Sequence, residues 1–109
     1  MEDIKKQDSS ICDWGCAEGQ AVRVYSEYFP DSKICGVDVS KSAINNASER
    51  FPDSEFYAED WLANSTPVKQ YDVVITSHVL EHFEHPVDIV IPRLLQFTKK
   101  YLVITVPFQ

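Results

Sequence analysis

The sequence alternates short apolar runs with longer segments in which apolar residues recur at helical spacing. Such alternation favours strand–helix–strand units, whose right-handed crossovers lay parallel strands side by side under a cover of helices. The run DVVIT (residues 72–76) has an apolar centre, as in a strand buried on both faces, and YLVITV (residues 101–106) is predicted as a further strand. The sequence therefore predicts an α/β fold with a doubly wound parallel sheet.

The same pattern sets the expected elements. Five strands are predicted at residues 11–14, 33–39, 55–58, 72–76 and 101–106. Helices are predicted over residues 19–29, 41–50 and 86–98, with a further helical turn over residues 78–83. Ser40 is a good N-cap, and Pro92 predicts a kink or break in the last helix. The predicted core of the last two strands consists of Val73, Val74, Ile75, Leu102, Val103, Ile104 and Val106.

Length, charge and cysteine content limit the number of domains and the kinds of partner that we expect. With 109 residues we expect a single domain over residues 1–109, and 17 acidic against 10 basic residues give a net charge of −7. That balance argues against binding to nucleic-acid phosphates or to an anionic membrane. The three cysteines include no C-x-x-C pair, so we expect packing thiols in a reducing cytoplasm, with no metal centre.

Ligands of doubly wound sheets bind at the carboxyl ends of the strands, so the residues there are candidate site residues. The first predicted strand ends in DWGCAEG, residues 13–19, where Gly15 permits a tight turn. Its G-x-A-x-G spacing is one residue shorter than the G-x-G-x-x-G of nicotinamide-binding folds. A nicotinamide oxidoreductase is therefore a weak alternative, and a plain strand–helix turn is another.

Carboxylates follow the next two strands. Asp38 lies 25 residues after Asp13, near the offset at which a carboxylate accepts hydrogen bonds from a ribose diol. A helix-capping role for Asp38 is the alternative. After the third strand, Asp60 is placed to accept from an exocyclic amine and Trp61 to cover a purine ring.

Five segments in this order resemble the class I (Rossmann-like) S-adenosylmethionine-dependent methyltransferases, in their methyltransferase-11/23-like small-molecule branch. The segments are ICDWGCAEGQ, CGVDVS, FYAEDW, YDVVITSHVLEHFEHP and YLVITVPF, and the resemblance extends over roughly residues 9–108. The resemblance implies a sheet in the order 3-2-1-4-5, S-adenosylmethionine as cofactor, and methyl transfer to an unidentified small-molecule acceptor. A non-catalytic module with this fold, binding cofactor or a partner, is the alternative.

The resemblance also implies roles for individual residues. Those implied to border the methionine part of the cofactor are Asp13, Gly15, Cys16, Ala17 and Gly19. Asp38 would hold the ribose, Val39 would lie against the adenine, and Asp60 would meet its amine. Trp61 would contribute its backbone or its ring, and Ser77 and His78 would lie near the sulfonium and the substrate. Ala17 stands where the family commonly has a second glycine; we expect its one methyl group to be tolerated, with crowding of the carboxylate end of the cofactor as the alternative.

All three histidines fall within residues 78–85. HVLEH matches the H-x-x-E-H signature of a class of zinc peptidases, and the histidines would share one face of a continuous helix. A third ligand is lacking further along the chain, since Glu84 and Asp88 are the only acidic residues after His82. Zinc thus remains an alternative; a locally hydrogen-bonded turn is another. His78 and His82 are weak candidates for a general base.

Domains of the resembled family normally continue past the fifth strand through another helix and two antiparallel strands, the sixth and seventh. The sequence stops at Gln109, so we expect a C-terminally truncated domain that lacks those strands. The fifth strand would then be an uncovered apolar edge, which is a place for a second copy to bind.

Overall fold

The computed structural model describes residues 9–63 and 69–105. Its strands are β1 (Ser10–Trp14), β2 (Lys33–Asp38), β3 (Glu55–Ala58), β4 (Tyr71–Ser77) and β5 (Thr98–Thr105). Its α-helices are α1 (Gln20–Tyr28), α2 (Lys41–Arg50) and α3 (Ile91–Gln96). A 3₁₀ turn at Leu80–His82 and a π-helical turn at Pro86–Val90 lie between β4 and α3.

All strand pairs are parallel, and the sheet order is β3-β2-β1-β4-β5. The predicted fold class and strand order are therefore confirmed. In the register of the sheet, Cys12 of β1 lies between Cys35 of β2 and Val74 of β4. Strand order reverses beside β1, and ligands of doubly wound sheets bind at this position along the carboxyl edge.

A capping serine and two prolines account for the observed ends of α1 and α2. The Ser40 hydroxyl accepts a hydrogen bond from the backbone N–H of Ala43 at 3.2 Å, which confirms the predicted N-cap of α2. Pro30 and Pro52 follow shortly after α1 and α2, and a proline cannot continue a helix. These two helices cover one face of the sheet through Val22 and Ile44, which are buried against the strands.

The segment before β5 differs from the predicted single helix over residues 86–98. It comprises the π-helical turn and then α3, and the change falls directly before Pro92. The predicted interruption is confirmed, because a proline is tolerated in the first turn of α3. The predicted helix end and strand start were wrong: α3 ends at Gln96 and β5 already begins at Thr98, which pairs with Tyr71.

Two apolar clusters form the core, one on each face of the sheet. Val73, Val74 and Ile75 are buried as predicted. The prediction for Ile104 was wrong, since its side chain is 36% exposed; β5 is the edge strand, with a neighbour on one side only. Leu102 and Val103 are half-buried, and Val106 lies outside the described residues. Within residues 9–63 and 69–105, no helix has the length and apolar character needed to cross a membrane.

Candidate functional site

The loop after β1 follows a path that few residue types adopt. Gly15, Ala17 and Gly19 all have positive φ, at 79°, 50° and 91°. The backbone N–H groups of Gly15 and Cys16 both donate to the carbonyl of Val37, at 2.7 and 3.1 Å. The loop is thereby fastened to β2 and stays at the carboxyl edge of the sheet.

Close packing around this loop excludes side chains at its glycines. A Cβ on Gly15 would lie 2.7 Å from a methyl carbon of Val79, and one on Gly19 would lie 2.7 Å from the ring of Phe56. Both glycines therefore combine a positive φ with a close approach, which only glycine accommodates without strain. Gly19 also occupies the N-cap position of α1.

The carboxylate of Asp38 connects the loop after β1 to the end of β2 through hydrogen bonds. Its Oδ2 accepts a hydrogen bond from the backbone N–H of Ala17, and its Oδ1 accepts one from that of Ser40, both at 2.9 Å. Each carboxylate oxygen has two acceptor positions, so one on each oxygen remains for a ligand. Asp38 therefore has a structural role and also retains the capacity to accept from two adjacent hydroxyls.

Asp13 is the buried acid of the site. Its side chain is 3% exposed, at the end of β1. Burial, and secondly the negative charge of Asp38, raise the pKa of this carboxyl from 3.8 to about 7. Near neutral pH the carboxyl is divided between its neutral and ionised forms, and a cation placed beside it would favour the ionised form.

The third strand end lies next to the second. The backbone N–H of Glu59 donates to the carbonyl of Asp38 at 3.1 Å. Asp60 follows, with an exposed side chain whose Oδ1 accepts from the backbone N–H of Leu62 at 3.1 Å. Val39 is 66% exposed at the same edge, so an apolar side chain faces solvent between these carboxylates.

The side chain of Trp61 does not lie where one of its two predicted roles requires. Its indole is 2% exposed and stacks on the ring of Phe97, with 3.9 Å between centroids and 4° between planes. The indole N–H donates to Glu59 Oε1 at 2.9 Å. The prediction that this ring covers a purine was wrong because the ring is part of the core. The carbonyl of Trp61 accepts a hydrogen bond from Arg93 Nε, so its backbone N–H is the remaining candidate contact for a ligand.

Cys16 also faces the core. Its side chain is 6% exposed, and a Cβ on Gly36 would lie 2.7 Å from its sulfur. Burial, followed by the charges of Asp13 and Asp38, raises the pKa of this thiol to about 12. Only the backbone of Cys16 can therefore border a ligand in the loop.

Ser77 and His78 stand at the end of β4, the strand beside β1. His78 is exposed with a φ of 58°, and its backbone N–H donates to the carbonyl of Thr105 at 2.9 Å. His82 lies in the 3₁₀ turn, and its side chain is also exposed. Residues 78–85 form no continuous helix, so the shared helix face assumed by the zinc alternative is absent. The described part of the chain contains no group of three or more potential metal ligands.

Glu18, within the glycine loop, makes side-chain contacts that the sequence did not reveal. Its Oε2 accepts from the side-chain amide of Asn46 at 3.1 Å, and its Oε1 lies 3.7 Å from Arg50. These contacts fasten the glycine loop to α2. They join residues about 30 positions apart, and no local pattern marks such a pairing.

Comparison with known proteins shows the family to which the chain belongs. The family model described as a methyltransferase domain matches residues 12–100. The chain belongs to this family of methyltransferase domains. The match includes the glycine loop, Asp38, Asp60 and the end of β4.

Individual relatives agree with the family. The chain is 31% identical over 81 residues to the ribosomal protein L11 methyltransferase of Methylobacillus flagellatus, covering 71% of this chain and 26% of that protein. It is 28% identical over 78 residues to a trans-aconitate 2-methyltransferase of Escherichia coli, covering 68% and 31%. The chain thus spans about a third or less of these relatives.

A solved structure shows the same architecture. The plantazolicin methyltransferase BpumL, in complex with a pentazolic desmethylPZN analogue and SAH, superposes with a TM-score of 0.77 at 28% identity. The likeness covers 96% of this chain and 42% of that one. SAH is S-adenosylhomocysteine, the form of the cofactor that remains after methyl transfer.

Proposed function

We propose that this chain is the cofactor-binding part of an S-adenosylmethionine-dependent methyltransferase. The observation that carries the proposal is the Asp38 carboxylate, which is hydrogen-bonded to the glycine loop and still able to accept from a diol. It is supported by family membership and by the likeness to a methyltransferase in complex with SAH.

The residues at the carboxyl edge fit this cofactor in charge and shape. S-adenosylmethionine carries a sulfonium and an ammonium against one carboxylate, and the edge presents the carboxyl groups of Asp13, Asp38 and Asp60. The positive-φ backbone of the loop lets the methionine part approach the main chain closely, since Gly15 and Gly19 carry no side chain. The exposed Val39 offers an apolar contact for the adenine.

We assign the roles as follows. Asp38 accepts from the ribose hydroxyls, Asp60 from the adenine amine, and Asp13 faces the cationic methionine end. The other loop contacts come from the backbone of Gly15, Cys16, Ala17 and Gly19, and the backbone of Trp61 borders the adenine. The bound cofactor supplies an electrophilic methyl group on a sulfonium.

Ser77 and His78 occupy the strand end nearest to the switch point and face the acceptor side. Alignment of the acceptor supplies most of the rate enhancement in such a transfer. We retain His78 and His82 as candidate proton acceptors because both imidazoles are exposed. Replacement of each by alanine, with single-turnover rates measured on a folded variant, tests this role.

For the acceptor we propose a small molecule in the cytoplasm. The supporting relatives include trans-aconitate 2-methyltransferases, whose name specifies a small organic acid. We expect no nucleic-acid partner, given the net charge of −7. A second copy pairing along β5 is a further proposal, which the molecular mass in solution will test.

The direct test is calorimetric titration of the chain with S-adenosylhomocysteine and, separately, with NADH. We expect binding of S-adenosylhomocysteine and none of NADH. Binding of neither ligand by a folded sample would overturn the proposal, and binding of NADH alone would favour an oxidoreductase. Cofactor binding without methylation of any acceptor by the complete protein would favour a non-catalytic module.

A further inference from the structure

The side chain of Glu18 connects the glycine loop to α2. Its Oε2 accepts a hydrogen bond from the side-chain amide of Asn46 at 3.1 Å, and its Oε1 lies 3.7 Å from Arg50 Nη1. Asn46 and Arg50 stand four positions apart in α2, so they share one face of that helix. Both carboxylate oxygens of Glu18 are therefore in contact with the same helix face.

The two contacts of Glu18 differ in strength. The side chains of Arg50 and Glu18 are 52% and 45% exposed, and an ion pair between such exposed groups contributes little. The Asn46 amide instead donates a hydrogen bond to a charged acceptor, which is the stronger kind of hydrogen bond. The hydrogen bond between Asn46 and Glu18 is therefore the main connection between the loop and α2.

The backbone around Glu18 is not held by regular secondary structure. Glu18 lies after the end of β1 and before the start of α1, and its two neighbours, Ala17 and Gly19, have positive φ values of 50° and 91°. The backbone N–H of Gly19 donates to the carbonyl of Cys16 at 3.0 Å, which closes the turn without joining it to another element. The connection of this part of the loop to α2 is made by the Glu18 side chain.

The carboxylate of Asp38 is held independently of Glu18. Its two oxygens accept from the backbone N–H groups of Ala17 and Ser40, and neither hydrogen bond involves Glu18, Asn46 or α2 side chains. Removal of the Glu18 side chain should therefore loosen the turn at residues 17–19 and leave Asp38 in its orientation. The two parts of the site can thus be disturbed separately.

We propose that Glu18 is a positioning residue for the methionine end of the cofactor. Held by Asn46, it keeps the turn at residues 17–19 in the conformation that receives the amino-acid part of the ligand. This inference rests on the proposed function, in which the methionine part lies against the glycine loop. Glu18 acts through the loop backbone, and the adenosine part of the ligand, held at Asp38 and Asp60, does not depend on it.

Two ligands that differ at one end separate this role from a general structural one. S-adenosylhomocysteine carries an adenosine part and an amino-acid part. In 5′-methylthioadenosine a methyl group replaces the amino-acid chain on the same thioether. Calorimetric dissociation constants for Glu18→Ala should show binding of S-adenosylhomocysteine weakened about fivefold and that of 5′-methylthioadenosine changed by less than about twofold. Unchanged binding of the second ligand also shows that the variant is folded.

A second test uses S-adenosylhomocysteine alone. Asn46→Ala should weaken its binding as Glu18→Ala does, because both remove the same hydrogen bond. Alanine is the better helix former, so this replacement does not weaken α2. The double variant should bind no more weakly than either single variant. Glu18→Gln should restore most of the affinity, because its amide oxygen can accept from Asn46.

Glu27→Ala is the matched control. Glu27 is 65% exposed near the C-terminal end of α1, where it lies 3.6 Å from Arg23, and its replacement should leave both dissociation constants unchanged. Equal weakening of the two ligands by Glu18→Ala, or additive losses in the double variant, would overturn this inference and leave the proposed function standing. A folded native chain that binds neither ligand would overturn both.

Discussion

Asp38 Oδ2 accepts a hydrogen bond from the backbone N–H of Ala17 at 2.9 Å, and this contact spans 21 residues of sequence. It fixes the loop after β1 against the end of β2 before any ligand is present. Because the partner oxygen accepts from Ser40, the carboxylate is held in one orientation by two donors. The position of the glycine loop at the carboxyl edge of the sheet depends on these two hydrogen bonds.

Asp38→Asn should lower the free energy of unfolding by about 1–3 kcal/mol. An amide has one acceptor oxygen, so its NH₂ group would face either the N–H of Ala17 or that of Ser40. Urea denaturation measures the change. Asp53→Ala, an exposed acid before β3, is the control and should change stability by less than about 0.5 kcal/mol. Equal stability of Asp38→Asn and the native chain would contradict the structural role of this carboxylate.

Ala17→Gly should raise the free energy of unfolding by about 0.5 kcal/mol. Ala17 has a φ of 50°, and a residue with a Cβ pays about 1–2 kcal/mol there. The added freedom of glycine in the unfolded chain offsets about 0.4–1 kcal/mol of that gain. Ala47→Gly, in the interior of α2, should instead destabilise by about 1 kcal/mol or more. A loss of stability in Ala17→Gly would refute the assignment of strain.

Asp13 should make the domain less stable as pH rises. Its folded-state pKa of about 7 lies above the ordinary 3.8, so between these values the folded state binds more protons than the unfolded state. Stability then falls from about pH 4 to pH 7 and stays low above it. The full difference corresponds to about 4 kcal/mol. Urea denaturation at pH 5 and pH 8 should show this fall in the native chain.

Asp13→Asn is the matched variant, because it keeps the shape and removes the titration. The fall in stability between pH 5 and pH 8 should be smaller in this variant by about 2–3 kcal/mol, since about two pKa units of the shift lie above pH 5. An identical pH dependence in the two proteins would show that Asp13 ionises normally. The variant is expected to be the more stable of the two at pH 8.

Thr76→Val should stabilise the domain by about 1 kcal/mol. The Thr76 side chain is fully buried, and its hydroxyl has no hydrogen-bond partner among residues 9–63 and 69–105. Valine has the same shape without the polar atom. Thr98→Val is the control and should destabilise, since the Thr98 hydroxyl donates to the carbonyl of Leu94 at 2.8 Å. Thermal denaturation measures the stability of both variants relative to the native chain. A lower stability of Thr76→Val would contradict the prediction.

The sequence predicted the fold because each apolar run carries its own periodicity. It also placed Asp13, Asp38 and Asp60 at one edge, since the carboxyl ends of parallel strands meet there. These inferences need only local patterns and one topological rule. The Ser40 cap could also be predicted from a local pattern, because it joins residues only three positions apart.

Features that depend on distant contacts were missed. The direction of the Trp61 ring is decided by Phe97, 36 positions later, with which it stacks in the core. The early start of β5 depends on pairing between Thr98 and Tyr71. The exposure of Ile104 follows from the edge position of its strand, which an apolar sequence does not reveal.

The central claim is that S-adenosylhomocysteine binds along the glycine loop and the ends of β2 and β3. Titration of the isotope-labelled chain with this ligand, followed by backbone amide NMR, tests it most directly. We predict shifts concentrated at residues 13–19, 38–40 and 59–61, and their loss in Asp38→Ala at the same ligand concentration. Shifts centred instead on Lys33 and Lys99, or no shifts at all in a folded sample, would contradict the claim.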